Sequence, residues 1–187
     1  MRFMETHLPG AWRIELEKRE DDRGFFARSF CEHEFAERGL ATRYPQCNIS
    51  YNKARGTLRG MHFQTPPKPE VKVVRCLRGW VYDVILDLRP DSPMYLQWEA
   101  FELTEDNRAA LYIPEGCAHG FQTLTDDAEL FYQMGAFYAP ECNDGVRWDD
   151  PAFAIAWPLA EPILSDKDRM YPKFQVSPWA AARQQKR

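Results

Sequence analysis

Short stretches in which apolar and polar residues alternate recur along this chain, with turn-forming residues between them. WRIELE, at 12–17, alternates Trp, Ile and Leu with charged residues, as a strand with one buried face does. VKVVRCL and WVYDVILDLR, joined by an Arg-Gly dipeptide, are typical of a β-hairpin. Further strands are predicted for QWEAFEL, ALYIP, GFQTL and ELFYQMGAFY. This pattern favours an antiparallel sandwich or barrel over alternating βαβ units.

One of these stretches carries two acids on a single face. If WVYDVILDL is a strand, Asp83 and Asp87 project to the same side as Val81 and Ile85. That side is either a polar barrel lumen or a solvated outer face. Alternation alone does not choose between the two.

Helical signals are sparse. EHEFAERG at 32–39 predicts one short helix that ends at Gly39, and PWAAARQQKR at 178–187 predicts a polar helix or a frayed tail. Prolines recur between 139 and 173, so this segment is expected to wrap the surface with little regular structure. The sequence therefore predicts a mainly β protein with a few short helices.

Length, composition and charge narrow the class of protein. With 187 residues, 44% of them hydrophobic, the chain is expected to form one domain over 1–187. A formal net charge of -4 does not favour nucleic acid as a partner. The most apolar stretch is interrupted by acids and is shorter than the roughly 20 residues of a spanning helix, so no membrane partner is expected.

The cysteines and the N-terminus suggest a compartment. Five cysteines without C-x-x-C spacing argue against a disulfide framework and against a structural zinc site, and favour reduced thiols. The first residues show neither an apolar stretch nor a cleavage pattern typical of a signal peptide. Both observations favour a cytoplasmic protein.

Two of the four histidines lie in chemically suggestive surroundings. His62 follows the predicted turn TLRG, and His119 follows a Pro-Glu-Gly turn, whereas His7 and His33 are expected at the surface. From RGMHFQ alone, His62 can be a metal ligand, a general base or a packed side chain. The two contexts resemble the paired motifs of the cupin superfamily, which implies a double-stranded β-helix, or jelly-roll, barrel.

The ligand set for a cupin metal is incomplete. Gln64 stands where the resemblance would place a second histidine, and Glu70 lies beyond the expected position of a glutamate. A catalytic metal site needs about three suitable protein ligands. We therefore expect neither a metal nor another cofactor.

Several cations are expected near a polar lumen. They favour an anionic ligand such as a phosphate, which Arg and Lys bind through charge-assisted hydrogen bonds. The four residues are Arg23, Arg59, Lys72 and Arg75.

A longer series of motifs then resembles the dTDP-4-dehydrorhamnose 3,5-epimerase family, a metal-independent branch of the cupins. The motifs follow one another in order over most of the chain: DDRGFFARSF, QCNIS, LRGMHFQ, VKVVRCLRG, VYDVILDLR, IPEGCAHGF, ELFYQMGAFYAP, GVRWDDP and LSDKD.

The resemblance implies an enzyme that epimerises a nucleoside-diphosphate 4-keto-6-deoxyhexose at C3 and C5, as a homodimer. It implies His62 as the base, Asp168 as its supporting carboxylate and Tyr132 as the acid on the opposite side of the sugar. It also implies Lys72 as a cation near the substrate carbonyl. The substrate-binding residues that it implies are Arg23, Gln46, Asn48, Arg59, Lys72, His119, Tyr138 and Lys167.

These residue types suit the chemistry. A ketone at C4 acidifies the protons at C3 and C5, so inversion needs a base on one face and an acid on the other. A histidine changes its charge near neutral pH and serves as the base. A lysine beside the carbonyl stabilises the enolate oxygen.

Four positions depart from the family pattern. Arg28 stands where a glutamate is usual, Cys47 and Ile49 replace an aspartate and a histidine, and Asn143 replaces a glutamate. None of them is an implied catalytic residue, so they concern the nucleotide and the sugar more than the reaction. The alternatives that remain are a C3-only or C5-only epimerase, a 3,4-ketoisomerase, a metal-dependent cupin oxygenase and a sugar-binding cupin without catalysis.

Overall fold

The computed structural model describes residues 1–174, which form two facing antiparallel β-sheets and a few short helices. In chain order the elements are β1 (Arg2–Glu5), β2 (Trp12–Glu15), β3 (Arg19–Asp21), β4 (Gly24–Phe26), α1 (Glu32–Ala36), β5 (Gln46–Asn52), β6 (Leu58–Gln64), β7 (Lys72–Arg78), β8 (Trp80–Asp87), β9 (Trp98–Thr104), β10 (Ala110–Ile113), β11 (Cys117–Thr123), β12 (Ala128–Met134), a 3-10 turn (Pro140–Cys142), β13 (Asn143–Gly145) and α2 (Asp166–Met170). The larger sheet has the strand order β1-β2-β10-β7-β12-β5, the smaller sheet has the order β13-β6-β11-β8-β9, and β3 pairs with β4 alone. The predicted mainly β, jelly-roll architecture with few helices is confirmed.

The core lies between the two sheets. Val74 and Leu130 from the larger sheet pack with Ile85 and Phe121 from the smaller one, and all four are buried. Because successive side chains alternate along a strand, every second residue of β7, β8, β11 and β12 enters this interior. Towards one end of the interior the apolar side chains give way to polar ones.

Strand β8 settles the question of its two acidic positions. Asp83 and Asp87 are fully buried on the same face as Val81 and Ile85, so the lumen reading is correct and the solvated outer face is wrong. The opposite face of β8 is covered by the segment that follows β13, which contributes the buried side chains of Val146, Phe153 and Ile155. This segment wraps the surface as predicted, yet it buries apolar residues and contains the short elements β13 and α2.

The predicted hairpin between β7 and β8 is wrong. Strand β7 pairs with β10 and β12, whereas β8 pairs with β11 and β9 in the other sheet. Gly79 connects them with a φ of 75°, and a Cβ there would lie 3.2 Å from the Cα of Ala128. The Arg-Gly dipeptide is therefore a corner that passes the chain from one sheet to the other, and a glycine allows it.

Strands β5 and β6 were not predicted from the sequence. The supposed turn TLRG lies mostly inside β6, and the actual turn falls at 54–56. His62 is thus a mid-strand residue. Several elements also end earlier than expected. For example, α1 stops at Ala36 before turns that lead to Gly39, and β12 stops at Met134.

His7 and His33 are exposed, as expected, and all five cysteines are free thiols. Within residues 1–174, the helices are all too short or too polar to cross a bilayer. The helix or tail predicted at 178–187 lies outside the described residues.

Candidate active site

A bulge between β6 and β11 brings two predicted site residues to one face. His62 is the Cα partner of His119, whereas Arg59 is the partner of Phe121, so the register shifts between them. Arg59 and His62 are three residues apart and would otherwise point to opposite faces of the strand. Gly60, at a φ of 139°, lies at this shift, where a Cβ would approach the Cα of Gly120 to 2.5 Å. The bulge requires a glycine, and it turns both side chains to the face that lines a cavity.

His62 lines two adjoining cavities at the polar end of the barrel, and Arg59 lines the first of them. The first has a volume of about 280 Å³ and the second about 390 Å³, and His62, Lys72 and Asn48 line both. The walls come from both sheets, which face each other across the space. The first cavity is lined in addition by Ile49, Ser50, Arg59, His119, Phe121, Tyr132 and Met134, and the second by Gln46, Glu70, Met134, Ala136, Tyr138 and Asn143.

His62 is paired with a carboxylate from the far end of the chain. Its Nε2 lies 2.5 Å from Oδ1 of Asp168, whose side chain is 5% exposed. Asp168 belongs to α2, and Ser165 caps that helix. Ser165 Oγ accepts from the Asp168 N–H at 3.1 Å and donates to Asp168 Oδ2 at 2.9 Å. Both carboxylate oxygens are therefore held in place.

The environment keeps this carboxylate charged. Burial, the largest single influence, raises the pKa of Asp168, but the hydrogen bond and charge of His62 and the bond from Ser165 outweigh it and lower the pKa below its ordinary value. The ring of Tyr171 packs beside His62, with 5.9 Å between ring centroids. An anion fixed behind the imidazole stabilises the protonated form that a base acquires.

A second His–Asp pair lies beside the first, on the neighbouring strand of the same sheet. His119 Nε2 is 2.9 Å from both carboxylate oxygens of Asp83 on β8, and both residues are buried. Burial raises the pKa of Asp83 above its ordinary value, while the adjacent His119 opposes that shift. This pair forms part of the cavity wall.

Tyr132 enters the first cavity from the larger sheet, on β12, opposite Asn48 of β5 and Val74 of β7. Its ring lies edge-on to His119, with 5.9 Å between centroids. Burial and the nearby charge of Asp83 raise the pKa of Tyr132 well above its usual value, against a smaller opposing effect of Arg59. The phenol therefore keeps its proton at neutral pH and is able to donate it.

Lys72 completes the arrangement. It begins β7 and is 7% exposed at its side chain, with Nζ 3.3 Å from the carbonyl oxygen of His62 and 3.0 Å from Glu70 Oε1. A buried ammonium at this position offers a positive charge to the cavity that also contains the imidazole.

The structure brings most of the predicted site residues together. His62, Tyr132, Lys72, Gln46, Asn48, Arg59, His119 and Tyr138 line the two cavities, and Asp168 contacts His62 from behind. Arg23 does not join them within the chain, because it is exposed on the β3–β4 hairpin and pairs with Asp21. Lys167 is exposed on α2 and lies over the ring of Tyr171, outside the lining of either cavity.

The expectation that Arg75 lines the lumen is wrong. Its side chain leaves the opposite face of β7 and donates to the carbonyl oxygens of Arg108 and Ser29. Burial, and to a lesser degree the charge of Arg108, lower the pKa of Arg75 to about 10. Arg75 therefore satisfies two backbone carbonyls and does not contribute to a phosphate cradle.

Three contributors were not assigned a role from the sequence. Asp83 was noticed only as a lumen acid, Glu70 only as a misplaced metal ligand, and Ser165 not at all. The two-acid face of β8 was the available signal for Asp83. The Ser-x-x-Asp spacing before α2 is typical of a helix N-cap and was the signal for Ser165.

The four departures from the family pattern fall in different places. Asn143 lines the second cavity, and Ile49 borders the first. Cys47 is exposed on β5, and Arg28 pairs with Glu34 at 3.2 Å on the surface. Among them, Asn143 is the best placed to alter what the second cavity accepts.

Gln64 has a role other than metal binding. Its amide nitrogen donates to the carbonyl oxygen of Lys68 at 2.9 Å, and its amide oxygen accepts from the N–H of Ala139 at 2.8 Å. It thereby ties together two loops that border the second cavity. Among residues 1–174, no three His, Cys, Asp or Glu side chains are grouped so that they could hold a metal ion.

Comparison with known proteins gives a consistent result. Residues 5–176 match the sequence profile of the dTDP-4-dehydrorhamnose 3,5-epimerase family. A dTDP-4-dehydrorhamnose 3,5-epimerase of Methanothermobacter thermautotrophicus is 43% identical over 95% of this chain and 96% of its own. A dTDP-4-dehydrorhamnose 3-epimerase of Streptomyces niveus is 41% identical over 90% of this chain and 82% of its own.

A solved structure extends the likeness to three dimensions. The dTDP-4-dehydrorhamnose 3,5-epimerase of Bacillus anthracis, with TDP and PPi bound, superposes with a TM-score of 0.90 at 40% identity, covering 92% of this chain and 99% of that one. At this identity and coverage the resemblance found in the motifs is a family relationship. The chain belongs to the dTDP-4-dehydrorhamnose 3,5-epimerase family.

Proposed function

We propose that this protein epimerises a dTDP-4-dehydro-6-deoxyglucose-type sugar nucleotide at C3 and C5. The observation that carries the proposal is that His62 on the smaller sheet, paired with Asp168 of α2, lines the same cavity as Tyr132 on the larger sheet. A sugar ring held between the two sheets would present one face to the imidazole and the other to the phenol. The names of the relatives support the substrate class.

In the proposed reaction His62 removes the proton at C3 or C5, and the carbanion is delocalised to an enolate at the C4 oxygen. Lys72 stabilises the negative charge on that oxygen. Tyr132 then protonates the same carbon from the opposite face, which inverts it. Asp168 positions the imidazole and stabilises its protonated form.

Each inversion leaves one extra proton on His62 and removes one from Tyr132. Both groups must therefore exchange protons with water before the second carbon reacts. The raised pKa of Tyr132 favours rapid reprotonation of the phenolate. Solvent hydrogen should consequently appear in the product at every carbon that is inverted.

The decisive experiment is turnover of dTDP-4-dehydro-6-deoxyglucose in heavy water, followed by NMR. Deuterium at C3 and C5 of a product with both centres inverted supports the 3,5-epimerase. Exchange at C3 alone, with the carbonyl still at C4, supports a 3-epimerase, the activity in the name of the Streptomyces niveus relative. A moved carbonyl indicates a ketoisomerase, and no exchange with any 4-keto sugar nucleotide overturns the proposal.

Tyr132→Phe serves as the matched variant in this experiment. It removes the proposed acid and retains the ring. His62 should still exchange the proton with solvent on its own face, so deuterium should enter without inversion. If inversion proceeds at the wild-type rate, Tyr132 is not the acid.

The nucleotide is proposed to be dTDP, held by Arg59, Asn48, Gln46, His119 and Tyr138 around the cavities. A thermal-shift series with dTDP, UDP, GDP and CDP tests this choice, since a ligand that binds the native state raises its melting temperature. The largest shift should come with dTDP. A larger shift with another nucleotide would contradict the choice of dTDP, and it would indicate that Asn143 has changed the preferred nucleotide.

We also propose that the protein acts as a homodimer. Phe26, Ile49 and Tyr51 expose 76%, 63% and 50% of their surface, and within residues 1–174 Arg23 lines neither of the two site cavities. A second copy would cover such apolar side chains. Sedimentation at micromolar concentration should give twice the mass of the chain, and a monomer would contradict the proposal.

A further inference from the structure

Glu70 and Lys72 form a buried ion pair at the edge of the second cavity. Oε1 of Glu70 lies 3.0 Å from Nζ of Lys72, and the two side chains are 8% and 7% exposed. Both residues line the cavity that His62 also borders. The proposed reaction uses Lys72 but assigns no role to the carboxylate of Glu70.

The hydrogen bonds of Lys72 leave one of its donors for a ligand. An ammonium group carries three N–H donors in a fixed tetrahedral arrangement. Nζ donates one of them to the carbonyl oxygen of His62 at 3.3 Å, and it forms an ion pair with Oε1 of Glu70 at 3.0 Å. Within residues 1–174 Nζ has these two partners, and Lys72 lines the second cavity, so its remaining donor can serve a ligand there.

The backbone around Glu70 is anchored on both sides. The amide of Gln64 donates to the carbonyl oxygen of Lys68 at 2.9 Å, and the N–H of Gly135 donates to the carbonyl oxygen of Val71 at 2.9 Å. Gly135 packs so closely on Val71 that a Cβ there would meet its side chain at 2.3 Å. The backbone that carries Glu70 is therefore anchored, and its carboxylate is buried beside the lysine.

We propose that Glu70 is a positioning residue that holds the Lys72 ammonium so that its third donor meets the C4 oxygen of the substrate. The proposal rests on the proposed function, in which that oxygen becomes an enolate. A preorganised donor stabilises developing charge without having to reorient during the reaction. The carboxylate also offsets the cost of burying an ammonium group.

The kinetic test compares Glu70→Ala, Glu70→Gln, Lys72→Met and the double variant Glu70→Ala/Lys72→Met. Glu70→Ala should lower kcat about 10- to 100-fold, the loss expected when a catalytic group is misplaced by about 1 Å, with KM nearly unchanged. Glu70→Gln keeps an acceptor for the ammonium and should restore most of that loss. In the Lys72→Met background, removing Glu70 should lower kcat no further.

Glu141→Ala is the control, because Glu141 is exposed and borders a different cavity. Circular dichroism checks that each variant is folded. The proposal is overturned if Glu70→Ala retains the wild-type kcat, if Glu70→Gln is as impaired as Glu70→Ala, or if Glu70→Ala lowers kcat equally with and without Lys72.

A second measurement needs no turnover and so separates this proposal from the proposed function. In ¹⁵N NMR, the ammonium signal that disappears in Lys72→Met belongs to Lys72. A buried ammonium with fixed acceptors exchanges slowly with water, and Glu70→Ala should accelerate that exchange. An unchanged exchange rate contradicts the positioning role. If Glu70→Ala accelerates the exchange but the protein turns over no 4-keto sugar, Glu70 does hold the ammonium of Lys72, and only the proposed function is contradicted.

Discussion

The two His–Asp pairs of the barrel invite comparison, because His62 and His119 are direct partners across β6 and β11 yet differ in almost every property. The side chain of His62 is 35% exposed, whereas that of His119 is 5% exposed. Asp168 comes from a helix of the wrapping segment, and Asp83 comes from the neighbouring strand of the same sheet. One pair opens to the cavity, and the other belongs to its wall.

The carboxylates differ in the same sense. His62 and Ser165 hold the pKa of Asp168 below its ordinary value despite burial, whereas burial raises the pKa of Asp83. A carboxylate with several donors keeps its charge, but one inside a low-dielectric core keeps it at a cost. The same two residue types thus form the proposed base and its carboxylate in one place and a buried contact of the cavity wall in the other.

Replacement of the two histidines should give the largest difference. His62→Asn is expected to lower kcat about 10²- to 10⁴-fold, the usual contribution of a general base. His119→Asn should raise KM more than it lowers kcat, because His119 lines the cavity without being the base. Steady-state kinetics checks both, with His33→Asn on the exposed face of α1 as the control. Equal losses of kcat for His62 and His119 would erase the distinction.

The two carboxylates come next. Asp168→Asn should lower kcat about 10²-fold or more, since loss of the anion behind a catalytic histidine costs up to about 10⁴ in a comparable triad. Asp83→Asn should cost less, because its amide oxygen can still accept from His119. Single-turnover rates measured with both variants check this order. If Asp83→Asn were the slower enzyme, the roles assigned to the two pairs would have to be exchanged.

The opposite pKa directions predict opposite effects of pH on stability. The depressed pKa of Asp168 means that its stabilising contribution is complete above its ordinary pKa and is lost as the pH falls through the lower folded value. The raised pKa of Asp83 means that its contribution is complete below the ordinary pKa and is lost as the pH rises through the higher folded value.

Urea unfolding at a series of pH values checks both signs. Relative to wild type, Asp168→Asn should lose least stability at the acid end. Asp83→Asn should lose most stability at the acid end and recover as the pH rises. If the stability of the two variants, relative to wild type, changed in parallel with pH, the predicted contrast between Asp168 and Asp83 would be contradicted.

The smallest expected effect concerns the cap that holds the first pair. Ser165→Ala removes the hydroxyl that bonds Asp168 and should lower the free energy of unfolding by about 0.5–2 kcal/mol, the range for loss of an N-cap. Ser165→Asn retains a capping oxygen and serves as the control. Thermal melts show the difference, and an unchanged Tm in Ser165→Ala would mean that the helix is held by its other contacts.

Strand β8 shows which properties the local alternation of residues predicts and which it does not. Alternation placed Asp83 and Asp87 on one face, but only the paired sheets show that this face is the interior. The two acids then diverge, since Asp83 meets His119 while Asp87 is bonded to Arg89 and Ser92. The partners of Asp87 follow it within five residues of the chain, whereas the partner of Asp83 lies on another strand and local sequence does not specify it.

The connections between strands were harder to predict than the strands. The Arg-Gly dipeptide at Gly79 has the composition of a hairpin turn, and a hairpin and an inter-sheet corner place the same demand on the backbone there, a positive φ. Gly60 was taken as part of a turn although it lies inside β6 at a bulge. Which of these a glycine serves depends on the strands that pair on either side.

By itself, the sequence determined the β architecture and, through motifs in family order, the residue types of the site. Alternation records which side chains share a face, and that information is local. Tertiary structure alone decided that the bulge at Gly60 turns Arg59 and His62 to the same side, that Asp168 returns from the end of the described chain to His62, and that Arg75 faces away. Pairing register and chain return are long-range properties, fixed by how the two sheets pack, and no local stretch encodes them.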